Sequence, residues 1–101
     1  MNEKEKENPL VSIVVITYNS AKYVLETLES CKTQTYRSIE LIISDDCSTD
    51  DTIQVCRDWL KANAERFSDV KVLEAKKNTG VAGNLNRGVK SSTAEWFKLT
   101  A

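Results

Sequence analysis

Leu41-Ile42-Ile43-Ser44 runs straight into Asp45-Asp46-Cys47-Ser48-Thr49-Asp50-Asp51-Thr52, and this junction decides the fold. An apolar run that ends in two carboxylates and then in helix-capping residues reads as a strand whose carboxyl end opens into a helix. That edge is where open α/β sheets bind their ligands. On the amino-terminal side lies a similar unit: Leu10-Val11-Ser12-Ile13-Val14-Val15-Ile16 ends in Thr17-Tyr18-Asn19-Ser20. One loop carries an aromatic ring and the other a pair of acids, a combination suited to a sugar- or nucleoside-bearing ligand.

Outward from these two strands the pattern alternates. The run 10–17 is almost wholly apolar, as in a strand covered on both faces. Ala21, Val24, Leu25, Leu28 and Cys31 recur at helical spacing and are expected to face inward. A second helix should begin near Ser48 to Asp50, with Ser48, Asp50 and Asp51 serving its amino end, and run to about Ala64. Its inward residues should be Ile53, Cys56 and Leu60. Val70 to Leu73 makes a short third strand, and Glu95 to Thr100 a fourth. The helix between them should present Val81, Ala82, Leu85, Gly88 and Val89 on one face. The order β-α-β-α-β-α-β predicts an α/β fold, a Rossmann-like parallel sheet with right-handed crossovers and helices on both faces.

Composition narrows the function. A length of 101 residues suits one domain. Residues 1–8 (Met-Asn-Glu-Lys-Glu-Lys-Glu-Asn) read as a solvated, mobile lead-in, and residues 9–101 as the domain. The lead-in has no apolar stretch and cannot be a signal peptide. With 14 basic and 15 acidic residues the net charge is −1, which gives no electrostatic reason to bind nucleic acid or an anionic membrane. No apolar run approaches the length of a membrane span. The 3 cysteines are dispersed and there is no histidine, so no metal-ligand spacing and no cysteine–histidine nucleophile can be assembled. An odd, scattered cysteine count fits a reducing compartment. Trp59 and Trp96 read as packing residues.

Several motifs bear on ligands. Adjacent residues of an extended chain point to opposite faces, so Asp45 and Asp46 are poorly placed as an acid–base pair. One should face the ligand crevice and the other the loop's backbone donors. Thr17-Tyr18-Asn19 can offer a ring face and backbone groups to a nucleobase, or be an ordinary turn with a capping Asn19 or Ser20. A dinucleotide fold would need a glycine-rich turn there, and none is present. Asn78-Thr79-Gly80-Val81-Ala82-Gly83-Asn84 lets a ligand lie against backbone, with Lys77 near for a phosphate, or is turn chemistry alone. A phosphoacceptor receiver would carry its acidic pair after the first strand rather than the second.

Val11 to Asn19, Gln34-Thr35-Tyr36, Glu40 to Thr52, and Asn78-Thr79-Gly80 through Asn86-Arg87-Gly88-Val89 together resemble the amino-terminal half of the family 2 glycosyltransferases, over residues 9 to 101. The resemblance implies a GT-A fold and a nucleotide-diphosphate sugar donor, most simply a UDP-sugar. It implies sugar transfer with inversion to an acceptor hydroxyl, in glycan or polysaccharide synthesis. Thr17 and Tyr18 would line the uracil pocket with Asn19 in the same loop. Asp46 would bind the nucleoside, Asp45 would support the loop, and Gly80 to Asn84 would approach the nucleotide-sugar. Mg²⁺ or Mn²⁺ would be held by an acidic motif after the fourth strand, and a separate carboxylate would act as base. Neither lies in this sequence, so no residue is assigned to catalysis or metal binding, and the chain reads as truncated. Its place of work would be the cytoplasm or the inner face of the membrane.

Departures from the family pattern are Cys47 and Asp51, where small residues and glycine are usual. Asn84 and Leu85 also depart, where alanine and arginine are frequent. The rival reading is a non-catalytic α/β interaction or signalling domain that keeps the architecture only.

Overall fold

The computed structural model describes residues 9–100; the charged lead-in over residues 1–8, read as mobile, and Ala101 lie outside the described residues. Four strands, β1 (Val11–Thr17), β2 (Ile39–Asp45), β3 (Asp69–Glu74) and β4 (Trp96–Thr100), alternate with three helices. The helices are α1 (Val24–Lys32), α2 (Thr52–Asn63) and α3 (Gly80–Ser91). Every strand pair is parallel and the order is β3-β2-β1-β4, so the sheet grows to one side of β1 and then returns to the other. Registering Thr17 against Asp45 brings the two polar strand tips side by side.

Helices cover both faces, as the pattern predicts. On one, Val24, Leu28 and Cys31 of α1 and Cys56 and Trp59 of α2 pack on Ile13, Val15, Leu41 and Ile43. These helical residues recur every three or four positions, which puts them on one stripe. All seven residues of β2 are buried, because β2 lies between two strands and under helices on both sides.

Local outcomes differ from the periodicity in four places. Leu25 is 46% exposed, since the buried stripe of α1 runs through Val24 and Leu28 and leaves Leu25 on its flank. In α2, Thr52, Cys56 and Trp59 take the inward positions while Ile53 and Leu60 are half-buried. In α3 the inward residues are Asn84 and Gly88, and Val81 is 72% exposed. The reason is close approach: a Cβ on Gly88 would stand 2.5 Å from Val14 Cγ1, so the helix sits too near the sheet for a large side chain. Finally, Trp96 is 63% exposed, because β4 is an edge strand whose apolar side chains no described element covers.

At the amino end of the sheet a single buried carboxylate organises the chain after α3. Glu40 accepts from Ser12 Oγ (2.6 Å), the Thr93 N–H (3.0 Å) and Thr93 Oγ1 (2.9 Å), with Lys71 Nζ at 3.3 Å. Burial pushes this carboxyl up, but the Ser12, Thr93 and Lys71 donors outweigh it and hold it at about 2.

Candidate nucleotide cleft

A cleft of about 410 Å³ opens at the carboxyl end of the sheet, lined by the β1 tip (Ile16, Thr17, Tyr18, Ser20), by Asp46, and by Asn78, Gly80, Val81 and Asn84. Tyr18 is half exposed and lines the wall. Gly80 has φ +84, a backbone conformation that side chains disfavour, and a Cβ there would meet nothing within 4 Å. The backbone at Gly80 is therefore open to whatever enters the cleft.

The two acids diverge, as alternation along a strand requires. Asp45 accepts from Thr17 Oγ1 (2.7 Å) and from the N–H and Oγ of Ser48 (2.9 and 2.6 Å), fastening its own loop to β1. Asp46 turns toward α3. Its Oδ1 accepts from the Thr79 N–H (2.9 Å) and Thr79 Oγ1 (2.7 Å), and its Oδ2 from the Gly80 N–H (2.8 Å). Arg87 Nη2 stands 3.8 Å away. Burial pushes the Asp46 carboxyl up; the Thr79 and Gly80 donors and the Arg87 charge overcome that and hold it below the usual carboxylate range.

A hydrogen-bonded circuit joins the two acids. From Asp45 it runs to Thr17, whose carbonyl accepts from Asn84 Nδ2 (3.1 Å) and from the Asp46 N–H (3.0 Å). Asn84 Oδ1 accepts from Ser44 Oγ (2.7 Å) and Arg87 Nη1 (3.0 Å), and Arg87 Nη2 reaches Thr79 Oγ1 (2.7 Å). Asn19 bridges the two strand-tip loops: its Oδ1 accepts from the N–H groups of Thr49 (2.8 Å) and Asp50 (3.3 Å). The amino end of α2 is served by Asp50, which accepts from the Thr52 N–H at 3.0 Å. Ser48, expected at that cap, instead accepts from the Asn19 N–H, and Asp51 makes no side-chain cap bond.

Of the sequence-nominated residues, Thr17, Tyr18, Asp46, Gly80 and Asn84 line the cleft. Asn19 and Asp45 brace it from behind, and Lys77 stands exposed on the β3–α3 loop without lining it. The sequence motifs contain Thr79 and Arg87 but gave neither a role of its own. The Asn84–Arg87 spacing of three is a helical neighbour relationship and could have been noticed; the link from Thr79 to Asp46 had no local signal. Among the described residues no group of three or more Asp, Glu or Cys side chains is arranged to hold a metal ion, and Asp45 and Asp46 are each committed to protein donors. These residues do not fit a metal centre. No helix among the described residues is long and apolar enough to cross a membrane.

Comparison with known proteins agrees with this architecture. The family model described as glycosyl transferase family 2 matches residues 12–99. Glycosyltransferase GlyG of Streptococcus pneumoniae serotype 4 is 33% identical over 90 residues, covering 89% of this chain and 29% of GlyG. A mannosyltransferase from Pyrobaculum calidifontis, solved with GDP-Man and Mn²⁺, superposes with a TM-score of 0.81 at 30% identity, over 87% of this chain and 26% of its own. S. aureus TarS 1-349 in complex with UDP-GlcNAc gives a TM-score of 0.77 at 30% identity, over 89% of this chain and 25% of its own. The chain thus spans roughly a quarter to a third of the length of these relatives, and it belongs to glycosyl transferase family 2.

Proposed function

We propose that residues 9–101 form the nucleotide-sugar-binding half of an inverting glycosyltransferase. The whole enzyme would move a sugar from a nucleotide-diphosphate donor, a UDP-sugar first, to an acceptor hydroxyl in glycan or polysaccharide synthesis. The observation that carries the reading is the meeting of Tyr18, the Asp46 loop and the open Gly80 backbone in one cleft at the carboxyl end of a parallel sheet. The nucleotide-sugar complexes of the two solved relatives support it, one with a guanine and one with a uracil base. A divalent cation, Mg²⁺ or Mn²⁺, belongs to the same proposal, with ligands from residues other than those described.

In this reading the chain positions the nucleotide and performs no bond-breaking itself. Tyr18 offers a face for stacking, the Gly80 backbone lets the ligand approach closely, and Asp46 holds the wall in place. The three unpaired cysteines support a reducing compartment, the cytoplasm or the inner face of the membrane.

A two-dimensional NMR titration of the chain with UDP, and separately with GDP, tests the reading. Saturable shifts at the Thr17, Tyr18, Asp46 and Gly80 amides are expected, larger for UDP at equal concentration. A spectrum unmoved at these four residues would overturn the assignment in favour of an interaction domain that has kept the architecture alone.

A further inference from the structure

The first turn of α3 is capped in an unusual way. Thr79 occupies the position before the helix, where a threonine hydroxyl commonly accepts from its own helix, yet it makes no such bond. Its Oγ1 donates to Asp46 and accepts from Arg87 instead, while the Gly80 N–H is satisfied by the Asp46 carboxylate. Asn78 Oδ1 shares the Gly80 N–H at 3.1 Å, but the shorter bond, 2.8 Å, runs to the acid at the tip of β2, which also takes the Thr79 N–H and hydroxyl.

This arrangement needs room at position 83, one turn along, where a side chain would lie back over the turn before it. A Cβ on Gly83 would stand 2.8 Å from both Cβ and Oγ1 of Thr79. The first of those atoms is bonded to the backbone, so the clash cannot be relieved by swinging a chain end aside. Glycine is otherwise a poor choice in a helix, about 1 kcal/mol worse than alanine. We propose that Gly83 is a positioning residue of the cleft: it clears the space in which Thr79 folds across α3 to clasp Asp46, and the clasp fixes the Gly80 wall that the ligand meets. The consequence for ligand affinity rests on the nucleotide-binding reading above; the clasp itself does not.

The test is Gly83→Ala, followed in the ligand-free chain by carbon-13 NMR titration of the Asp46 carboxyl and then by UDP affinity. The charged groups beside Asp46 include Arg87, with Nη2 at 3.8 Å, and the adjacent Asp45, whose carboxylate is turned to Thr17 and Ser48. Losing the Thr79 hydroxyl should raise the Asp46 pKa and weaken UDP by about fivefold or more. The melting temperature should fall as well, because the contact between the new Cβ and Thr79 Cβ forces the first turn of α3 to shift. Thr79→Ala should reproduce the Asp46 shift, and adding Gly83→Ala to it should move the Asp46 titration less than Gly83→Ala does in the parent chain, because the hydroxyl is already gone while the Cβ contact remains. A lowered melting temperature with an unaltered Asp46 titration would reduce Gly83 to a packing role and overturn the inference. UDP binding by the parent chain, unchanged in Gly83→Ala, would do the same. A parent chain that binds no UDP but shows the Asp46 shift would leave the clasp standing and remove the nucleotide reading.

Discussion

Asn84 Nδ2 donates to the main-chain carbonyl of Thr17 at 3.1 Å, joining the middle of α3 to the tip of β1 across 67 residues of sequence. The same carboxamide accepts from Ser44 and Arg87, so one buried side chain ties the two central strands and the helix at the mouth of the cleft. Alanine at this position would remove the acceptor that Ser44 and Arg87 share and the donor to Thr17. Ser44 keeps the main-chain carbonyl of residue 84 as an acceptor (3.0 Å) and the Thr17 carbonyl keeps the Asp46 N–H (3.0 Å), so Asn84→Ala should cost about 1–3 kcal/mol through the net loss of its side-chain hydrogen bonds, read as a lowered urea midpoint.

The strand-tip loops hold two non-glycine residues with positive φ, Asn19 at 49° and Cys47 at 66°. Left-handed backbone costs an ordinary residue about 1–2 kcal/mol, of which glycine gives back part through its own chain entropy. Cys47→Gly should therefore stabilise the chain by about 0.5–1 kcal/mol. Asn19→Gly should act the other way, because the Thr49 and Asp50 donors lose their acceptor. Thermal unfolding of the two variants should show shifts of opposite sign.

Glu40 makes stability depend on acid. Its folded-state carboxyl is held at about 2, below the roughly 4.3 of an unfolded glutamate, so the unfolded chain binds the proton first as pH falls. The contribution, about 3 kcal/mol when full, is present above pH ~4.3 and drains away toward pH ~2. Glu40→Gln should be less stable at neutral pH. Its urea midpoint should fall less steeply than the parent's between pH 5 and 3 in a series of isothermal denaturations.

Tyr18 separates binding from folding. Its ring is half exposed, so Tyr18→Ala should leave stability within about 0.5 kcal/mol. If the ring stacks on the base, UDP affinity should drop by about 1–3 kcal/mol, the range for loss of one aromatic platform. Calorimetric titration beside a melting curve would measure both, and equal losses in the two would sink the stacking role.

Much of this architecture was legible in one dimension. The β-branched runs at Val11 to Ile16 and Ile39 to Ile43 could hardly be anything but buried strands, and alternating them with helical segments required parallel pairing. Alternation also sent Asp45 and Asp46 in different directions. The face of α3 was not legible. Periodicity marks the stripe through Val81, Ala82, Leu85, Gly88 and Val89; of these only Gly88 is buried against the sheet, and Asn84 takes the other inward position. A polar side chain can be buried at no loss when Thr17, Ser44 and Arg87 satisfy it, and that depends on chain segments 40 and 67 residues distant.

The strands, their alternation with helices, and the polar tips that share one edge follow from local periodicity and from the reach of short crossovers. What each carboxylate grips is set by the packed fold. Asp46 finds Thr79 and Gly80, more than 30 positions away, and hydrogen-bond geometry of that kind exists only once the sheet has brought β2 and α3 to the same mouth. It likewise decided that Lys77 stands apart from the cleft and that Arg87 belongs to its frame.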